Sequence, residues 1–359
     1  MPETQLPIKT PLAALHRNAG ARMGTWCGCE LSDDWGDPRA EQGFANNSVA
    51  LIDKNYRAYL SFTGPDRVRY LNAILTNNIK DLSTGTGNVS LLLNPQGHIL
   101  AEIETYALPD SLFCVSYAVI RQRLIAWLDK YIIMDDVTLT DDTDLWGTLA
   151  LEGPKAAAVV HKISGIDIAP LGELSVTDAV VASIPCRIVK RSPAGIPGAE
   201  FLVDQAKLEL LWKFLEDAVR QHGGGPMGYT ALNAQRLAQG VPWFGYDFGE
   251  KQIPHEAGLE ESHISYTKGC YTGQEIVERV RSRGQVNRRR VRLFFSGHAV
   301  PEAGSVLTLD GKEVGFVTRA AQSWYPPRVI GMGYVRKEGQ AEGSKLQWAN
   351  GTATLMLLP

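Results

Sequence analysis

The sequence predicts an α+β protein in which two βαββαβ-like halves precede a small C-terminal β-barrel. Two successive stretches repeat one order of strands and helices, and from Arg289 onward short strands alternate with turns. The chain has 359 residues, 44% hydrophobic and 21% charged, which is typical of a globular protein too long for one hydrophobic core.

The first half is predicted over residues 49–145, after an N-terminal segment, 1–48, that joins the core. AYLSFTG has the composition of a strand, and Gly64-Pro65-Asp66 starts a helix, since the missing N–H of proline costs nothing in a first turn. Asn94-Pro95-Gln96-Gly97 predicts a hairpin turn. SLFCVSYAV then predicts a strand and RQRLIAWLDKYI an amphipathic helix.

The second half is predicted over residues 146–285 and repeats this order. WGTLALEG is a strand, Gly153-Pro154 opens a second helix, SIPCRIVKR and AEFLVD are strands, and KLELLWKFLEDAV is a closing helix. The two Gly-Pro dipeptides therefore occupy equivalent places, which indicates a duplicated unit with helices on one face of a mainly antiparallel sheet.

An irregular passage, 240–270, ends the second half, and the barrel follows over 286–359. A loop of this length inside a compact protein is usually functional or disordered. Its aromatic and apolar residues argue against disorder, so we expect a functional segment.

Composition excludes several classes of protein. The net charge of −3 gives no global reason to expect nucleic-acid binding. Five scattered cysteines predict no disulfide framework and a reducing, cytoplasmic compartment, and no apolar run suits a signal peptide or a membrane span. No histidine pattern predicts a metal site, and Cys27-Gly28-Cys29 is interpreted as structural or incidental. We expect a monomer.

The octet Lys268–Glu275, KGCYTGQE, is the most informative motif. Gly269 and Gly273 allow backbone geometries that other residues avoid. Lys268 and the N-terminus of the following helix could each favour the thiolate of Cys270, which predicts a catalytic or otherwise reactive pair. The alternative is an ordinary buried cysteine before a helix.

This octet closely resembles the signature K-G-C-[FY]-x-G-Q-E of the folate-binding YgfZ family, relatives of the glycine-cleavage aminomethyltransferase (T-protein). FTGPDRVRYLNAILTNNIKDL, and RLAQGVPWFGYDF with PHEAGLE, resemble further stretches of that superfamily. The resemblance implies a three-domain cloverleaf of the aminomethyltransferase type around a folate-binding channel.

The resemblance also implies a site for tetrahydrofolate or a one-carbon derivative of it. The pterin edge offers N–H donors that suit a buried carboxylate. The family's Glu and Arg carry over to Glu200 and Arg236, and Glu102 and Tyr117 complete the predicted folate contacts. Without the resemblance, Glu200 would be a strand-edge surface residue and Arg236 part of a solvated helix face.

Two departures bear on activity. Aminomethyltransferases carry an Asp-Asp pair where this chain has Ala101-Glu102, and the longer Glu102 would misplace its carboxylate. T-proteins also lack the cysteine of the octet. Both departures disfavour aminomethyl transfer.

Three functions remain open. The first is a tetrahydrofolate-binding accessory protein that supports assembly or repair of iron–sulfur clusters, with iron–sulfur proteins as partners and tRNA affected at most indirectly through its modifying enzymes. The second is a folate-dependent aminomethyltransferase or other one-carbon transferase. The third is a nucleic-acid binder, because seven arginines lie between Arg279 and Arg292. A basic rim for an acidic tail or partner explains those arginines better, since no aromatic platform accompanies them.

Overall fold

The computed structural model describes residues 6–192, 194–284 and 286–357. It contains a three-stranded sheet, a six-stranded sheet, a five-stranded sheet and a closed barrel. The predicted α+β class and C-terminal barrel are confirmed. The first five residues of the predicted N-terminal segment, positions 193 and 285 of the predicted second half, and the last two positions of the predicted barrel lie outside the described residues.

The strands occupy the following ranges: β1 Ile8–Lys9, β2 Arg22–Trp26, β3 Cys29–Asp34, β4 Ala50–Asp53, β5 Arg57–Thr63, β6 Gly87–Leu93, β7 Ile99–Ala107, β8 Leu112–Tyr117, β9 Thr138–Asp141, β10 Trp146–Glu152, β11 Val176–Val181, β12 Ile184–Lys190, β13 Gly198–Asp204, β14 Gly225–Pro226, β15 Arg288–Phe295, β16 Val306–Leu309, β17 Lys312–Trp324, β18 Pro327–Arg336, β19 Lys345–Trp348 and β20 Gly351–Met356.

The α-helices occupy the following ranges: α1 Ala13–Asn18, α2 Pro38–Asn47, α3 Arg67–Ile74, α4 Arg121–Asp129, α5 Ala156–Ser164, α6 Leu208–Gln221, α7 Tyr229–Gln239, α8 Pro254–Ala257, α9 Glu260–His263 and α10 Gln274–Arg283.

The chain forms two compact units. Unit 1 comprises the described residues up to Tyr70 together with Ile79–Asn88 and Ile103–Leu232. Unit 2 comprises Leu71–Asn78, Val89–Glu102 and the described residues from Asn233 onward. Within the described ranges, no helix is long and apolar enough to cross a bilayer.

The N-terminal elements of unit 1 form the three-stranded sheet, with strand order β1-β3-β2. Cys27 and Gly28 make the two-residue turn between β2 and β3, with φ of 52° and 75°. Turns with two positive φ angles suit the twist of a hairpin. The Cys-Gly-Cys pattern thus has a structural role, as the sequence predicts.

The six-stranded sheet of unit 1 has the order β11-β12-β13-β10-β4-β14. Alternate residues of its central strands, such as Leu149, Leu151 and Phe201, pack with α5 and α6 into a hydrophobic core. The intervening residues face the other way, and there Ala150 of β10 pairs with Glu200 of β13. The second face therefore carries charge.

The five-stranded sheet has the order β6-β7-β8-β5-β9. On β5, Arg57 lies opposite Tyr117 of β8 and shares its face of the sheet with Tyr59. The Tyr59 hydroxyl is 2.6 Å from Thr148 Oγ1 of β10, so in unit 1 this face meets the charged face of the six-stranded sheet.

Unit 2 is built on the barrel, whose strand order is β15-β18-β17-β16-β19-β20. The irregular passage 240–270 belongs to this unit and buries Trp243, Phe244 and Phe248. These three rings pack in the interior, and the helical parts of the passage are limited to the single turns α8 and α9.

Candidate functional site

Four charged residues meet between the two sheets of unit 1, and we call them the ionic cluster: Arg57, Glu104, Arg191 and Glu200. Arg57 donates two parallel hydrogen bonds to Glu200, with Nη1–Oε2 at 2.6 Å and Nη2–Oε1 at 2.8 Å. Arg57 Nη1 also lies 3.4 Å from Glu104 Oε2. Glu200 is fully buried, and Arg57 and Glu104 are buried as well. The bidentate geometry is the strongest form of an Arg–carboxylate pair.

Glu104 is held from two further directions. Its Oε1 accepts a hydrogen bond from Arg191 Nε at 3.1 Å, and its Oε2 accepts one from the Tyr106 hydroxyl at 2.7 Å. Glu104 and Tyr106 are two residues apart on β7, so the period of the strand places both on one face. The alternation of β7 thus directs a carboxylate toward two guanidinium groups.

The two carboxylates of the cluster differ in acidity. Burial raises the pKa of Glu200, the charge of Glu104 raises it further, and Arg57 opposes both. Burial also opposes ionisation of Glu104, but Arg57 and Arg191 outweigh it and lower the pKa of Glu104 to about 2. Glu104 is therefore a fixed negative charge, and the ionisation of Glu200 depends on Arg57.

A second buried pair lies on the face of the six-stranded sheet that carries Glu200. Lys54 Nζ is 3.4 Å from Glu152 Oε1, and both residues are fully buried. Within the described residues, neither Lys54 Nζ nor either Glu152 carboxylate oxygen has a partner in good hydrogen-bond geometry, although the backbone N–H of Ala194 opposes the burial-driven rise in the pKa of Glu152. Burial raises the pKa of Glu152; Lys54 opposes the shift, and Glu200 adds to it. Such unsatisfied buried groups are rare and call for an explanation.

Two of the predicted folate contacts come together in unit 1. Glu200 is fully buried, so the interpretation of it as a surface residue at a strand edge is wrong: β13 is an inner strand between β10 and β12. Tyr117 lies directly opposite Arg57 in the β5–β8 ladder, and its ring centroid is 5.5 Å from that of Tyr56. Both predicted residues thus neighbour Arg57.

Arg236 lies in unit 2 and is also fully buried. Its guanidinium donates to Asn233 Oδ1 at 2.8 Å and to the Val241 carbonyl at 3.1 Å, and it forms an ion pair with the equally buried Asp247. The interpretation of Arg236 as a solvated helix residue is wrong, because the passage after α7 folds back over it. Its contact with folate stays a prediction.

Glu102 is paired with a histidine in unit 2. His263 Nε2 is 3.0 Å from Glu102 Oε1, and His263 Nδ1 is 2.7 Å from Ser262 Oγ. Glu102 is half-buried, whereas the neighbouring Ala101 is fully buried. The position of the expected acidic pair therefore holds a carboxylate–imidazole pair, which can hold or move a proton.

The octet begins with a lysine that serves a helix. Lys268 Nζ donates hydrogen bonds to the carbonyls of Asn72 and Leu75, at the C-terminal end of α3. Cations stabilise this end of a helix because its carbonyls lack partners. Burial lowers the pKa of Lys268 to about 8. The structure therefore directs the ammonium group to α3, and no hydrogen bond or ion pair joins it to Cys270 in the described part of the chain.

The two glycines of the octet differ. Gly273 has φ of 83°, and a Cβ there would come within 2.7 Å of the Asn94 carbonyl in the β6–β7 turn. Gly97 of that turn packs against Ile276 of α10, where a Cβ would come within 2.9 Å of Cγ2. Gly269 has an ordinary φ and nothing within 4 Å of its Cβ position. The expectation of a special backbone geometry is confirmed at Gly273 and wrong at Gly269.

Cys270 is exposed, the other four cysteines are buried, and no disulfide joins any of them in the described structure. Burial raises the pKa of Cys29 and Cys114 to about 12 and that of Cys186 to about 11. The interpretation of Cys270 as an ordinary buried cysteine is therefore wrong. It is the cysteine that solvent reaches most easily.

The arginine-rich segment is partly committed to internal contacts of unit 2. Arg290 is buried and donates to the carbonyls of Ala257 and Gly240 at 2.7 and 3.1 Å. Arg288 Nε forms an ion pair with Glu256 at 3.1 Å. A basic rim can therefore use only the remaining arginines.

Sequence reasoning missed Arg57, Glu104, Arg191, Lys54 and Glu152. A signal was present at three of these positions, because charged residues interrupt apolar strands, once in YRAYLSF, twice in AEIETYA and once in TLALEG. A charge at an inward position of a strand must find a partner, since burying it alone is costly. The partners of these charged residues come from distant parts of the chain, and a charge within an apolar strand does not indicate which residue will pair with it.

The fold and the ionic cluster define an α+β protein with a C-terminal barrel and buried carboxylates suited to the N–H edge of a ring. Residues 12–264 match the family model described as the GCVT N-terminal domain, and residues 288–354 match the glycine cleavage T-protein C-terminal barrel domain. The chain belongs to the GCVT family. These matches support the family as a whole and do not single out its YgfZ branch.

Similar proteins agree with this assignment. An aminomethyltransferase of Streptomyces avermitilis is 28% identical over 94% of this chain and 92% of its own length. One of Herpetosiphon aurantiacus is 29% identical over 88% of this chain and 86% of its own length. The crystal structure of glycine cleavage system aminomethyltransferase T from Bartonella henselae has a TM-score of 0.89, with 23% identity, 99% coverage of this chain and 98% of its own. That structure confirms the aminomethyltransferase fold.

Proposed function

We propose that the protein binds tetrahydrofolate, or a one-carbon derivative of it, and acts as a one-carbon transferase of the aminomethyltransferase type. The observation that carries the proposal is the fully buried carboxylate of Glu200 in a chain of the GCVT family. Relatives named aminomethyltransferase, 28 and 29% identical over most of the chain, support this alternative over the iron–sulfur interpretation.

The buried groups fit the ring of folate. Its 2-amino-4-oxo edge presents N–H donors beside a carbonyl acceptor, and Glu200 offers the complementary carboxylate. Lys54 Nζ and the Glu152 carboxylate, which lack partners in good hydrogen-bond geometry in the described structure, can satisfy further ring atoms. Tyr117 would supply an aromatic wall. When bound, tetrahydrofolate supplies the amine nitrogens that accept a one-carbon unit.

The Glu102–His263 pair is the group that we assign to proton transfer in unit 2. A carboxylate hydrogen-bonded to an imidazole orients the ring and stabilises its protonated form. Glu102 is longer than the aspartate expected in an aminomethyltransferase, and here His263 fixes its position at 3.0 Å. The histidine thus offers a compensation for the Ala101-Glu102 departure.

Ligand identification and turnover test this proposal. We expect mass spectrometry of purified protein to reveal a folate, and calorimetry to show binding of 5-formyltetrahydrofolate that Glu200→Gln weakens. We also expect aminomethyl transfer to tetrahydrofolate in a reconstituted glycine-cleavage assay, reduced in His263→Ala. A folded protein that binds no folate contradicts the binding function, and one that binds folate without turnover contradicts the transferase.

A second candidate is the accessory role in iron–sulfur cluster assembly or repair in the cytoplasm, which rests on Cys270. This residue is exposed inside an octet whose lysine and second glycine have structural roles. The thiol of Cys270 is exposed, so a chemical role is open to it: a reactive thiolate, a transient bridge or protection of a folate adduct. Complementation of a strain lacking its own homologue, with wild type and Cys270→Ser, separates the candidates, since loss of iron–sulfur enzyme activity only with the serine variant supports the accessory role.

A further inference from the structure

The bidentate contact between Arg57 and Glu200 indicates a gate. We propose that in the free protein Arg57 occupies the subsite of the ligand's amino edge, and that the ligand binds by displacing its guanidinium from Glu200. This gate rests on the proposed function, because it takes a 2-amino-4-oxopteridine ring as the end of the ligand that reaches Glu200. Arg57 is then a residue that sets affinity and specificity.

The guanidinium and the ring edge are chemical equivalents at this position. Arg57 presents two parallel N–H groups to the two oxygens of Glu200, at 2.6 and 2.8 Å. The 2-amino group and the adjacent ring N–H of a pterin present the same fork. One carboxylate cannot accept both forks in its plane, so the two occupants exclude each other.

The side chain of Arg57 has a second carboxylate within reach. Glu104 lies 3.4 Å from its Nη1, so a small rotation keeps the guanidinium paired with a carboxylate. Arg57 also lines a cavity of about 150 Å³ that it shares with Tyr59, Arg121 and Trp146 of unit 1. A charged side chain with two acceptors and adjoining space can have two discrete arrangements.

Lys54 and Glu152, which share the face of the six-stranded sheet that carries Glu200, suit an occupant other than arginine. Lys54 Nζ has no acceptor in hydrogen-bond geometry within the described residues. Arg57 brings only donors, so it leaves the lysine unsatisfied. A ring that carries a carbonyl next to its N–H fork offers an acceptor to Lys54 as well as donors to the carboxylates. In the free protein the buried charges are therefore paired with opposite charges, but Lys54 Nζ still lacks a hydrogen-bond acceptor in the described structure.

A substitution that keeps the charge and removes the fork tests the gate. Lysine at position 57 can still pair with Glu104 but cannot grip Glu200 with two parallel bonds. The apparent affinity for a ligand is lower when a smaller fraction of the protein is open. Arg57→Lys should raise the open fraction, so we expect it to bind pterin about tenfold more tightly than wild type. Lumazine, which carries a carbonyl in place of the 2-amino group, should gain nothing, and Arg191→Lys, which alters only the Glu104 side of the cluster, should not tighten pterin binding.

Calorimetric titrations of these variants with pterin and lumazine, alongside thermal unfolding to verify folding, decide the matter. Equal or weaker pterin binding by folded Arg57→Lys overturns the gate. If that variant does not fold, the association kinetics of the wild type decide between the gate and an open site. In wild type, the observed association rate of pterin should level off with concentration, since Arg57 must leave first, and a linear rise contradicts the gate. If these tests fail but wild type binds 5-formyltetrahydrofolate, only the gate is refuted. If neither wild type nor any variant binds a folate, the proposed function itself is refuted.

Discussion

The ionic cluster of unit 1 and the octet of unit 2 differ in how the sequence reveals them. The octet is contiguous, and its pattern is conspicuous, yet Lys268 and Gly273 serve helix α3 and the β6–β7 turn. The cluster is assembled from β5, β7, β13 and the segment after β12, and no motif announces it. A conspicuous motif can therefore reflect how one segment packs against another. The charged groups that suit a ligand are instead scattered through apolar strands.

Removing Arg57 should have the largest effect on stability, because it leaves Glu200 buried without its main partner. We expect Arg57→Met to lower the free energy of unfolding by about 3–5 kcal/mol. The double variant with Glu200→Leu should recover much of the loss, since no buried carboxylate then lacks its cation. Urea denaturation monitored by fluorescence measures both. A loss below about 1 kcal/mol in the single variant would show that the cluster is solvated.

Acid should weaken the cluster through Glu104. Its pKa is lowered from 4.5 to about 2, so the folded protein holds fewer protons on this group than the unfolded chain does. The resulting stability, on the order of 3 kcal/mol, is present above pH 4.5 and is lost as the pH falls toward 2. Glu200 works in the opposite direction because burial raises its pKa. The free energy of unfolding can be measured from about pH 6 down to about pH 2, a range that spans the unfolded and folded pKa of this group. It should fall less steeply for Glu104→Gln than for wild type, and identical slopes contradict the assignment.

Replacing Lys268 distinguishes support of a helix from activation of a thiol. Lys268→Met should destabilise the protein by about 1–3 kcal/mol, because two carbonyls at the end of α3 lose their donor. The alkylation rate of Cys270 at neutral pH should change by less than about twofold. Lys268→Arg is the matched control, since it keeps the charge. A large fall in the alkylation rate with unchanged stability would restore the direct action of Lys268 on Cys270.

The fold was more predictable from the sequence than the site. Strand and helix periodicities give β5, α3, α6 and the barrel, because each depends on a local pattern of burial. The burial of Glu200 and Arg236 was not predictable by the same means. Glu200 is inside because β13 is an inner strand whose partners come from distant parts of the chain, whereas Arg236 is inside because the irregular passage directly after α7 covers it. Arg57, the partner of Glu200, lies in no motif, whereas Asp247, the partner of Arg236, lies in the stretch RLAQGVPWFGYDF, whose pattern does not reveal the ion pair.

The two glycines of the octet should respond differently to the same substitution. Gly273→Ala places a Cβ at φ of 83° and within 2.7 Å of the Asn94 carbonyl, so we expect a loss of about 1–2 kcal/mol. Gly269→Ala meets no atom within 4 Å and should be neutral or stabilising by up to about 1 kcal/mol. Thermal unfolding of the two variants measures the difference. Equal destabilisation would mean that Gly269 also has a constrained backbone.

Replacing Cys270 should affect stability least and reactivity most. The side chain is exposed, so Cys270→Ser should change the free energy of unfolding by less than about 0.5 kcal/mol. In wild type, mass-mapped alkylation at neutral pH should label Cys270 first, because the other four cysteines are buried and burial raises the pKa of three of them. Folate affinity should be unchanged in the serine variant if Glu200 carries ring recognition. Faster labelling of a buried cysteine would show that unit 1 opens more readily than its packing indicates. A loss of folate affinity in Cys270→Ser would instead assign the octet to the ligand site, and the contrast between the two regions would no longer hold.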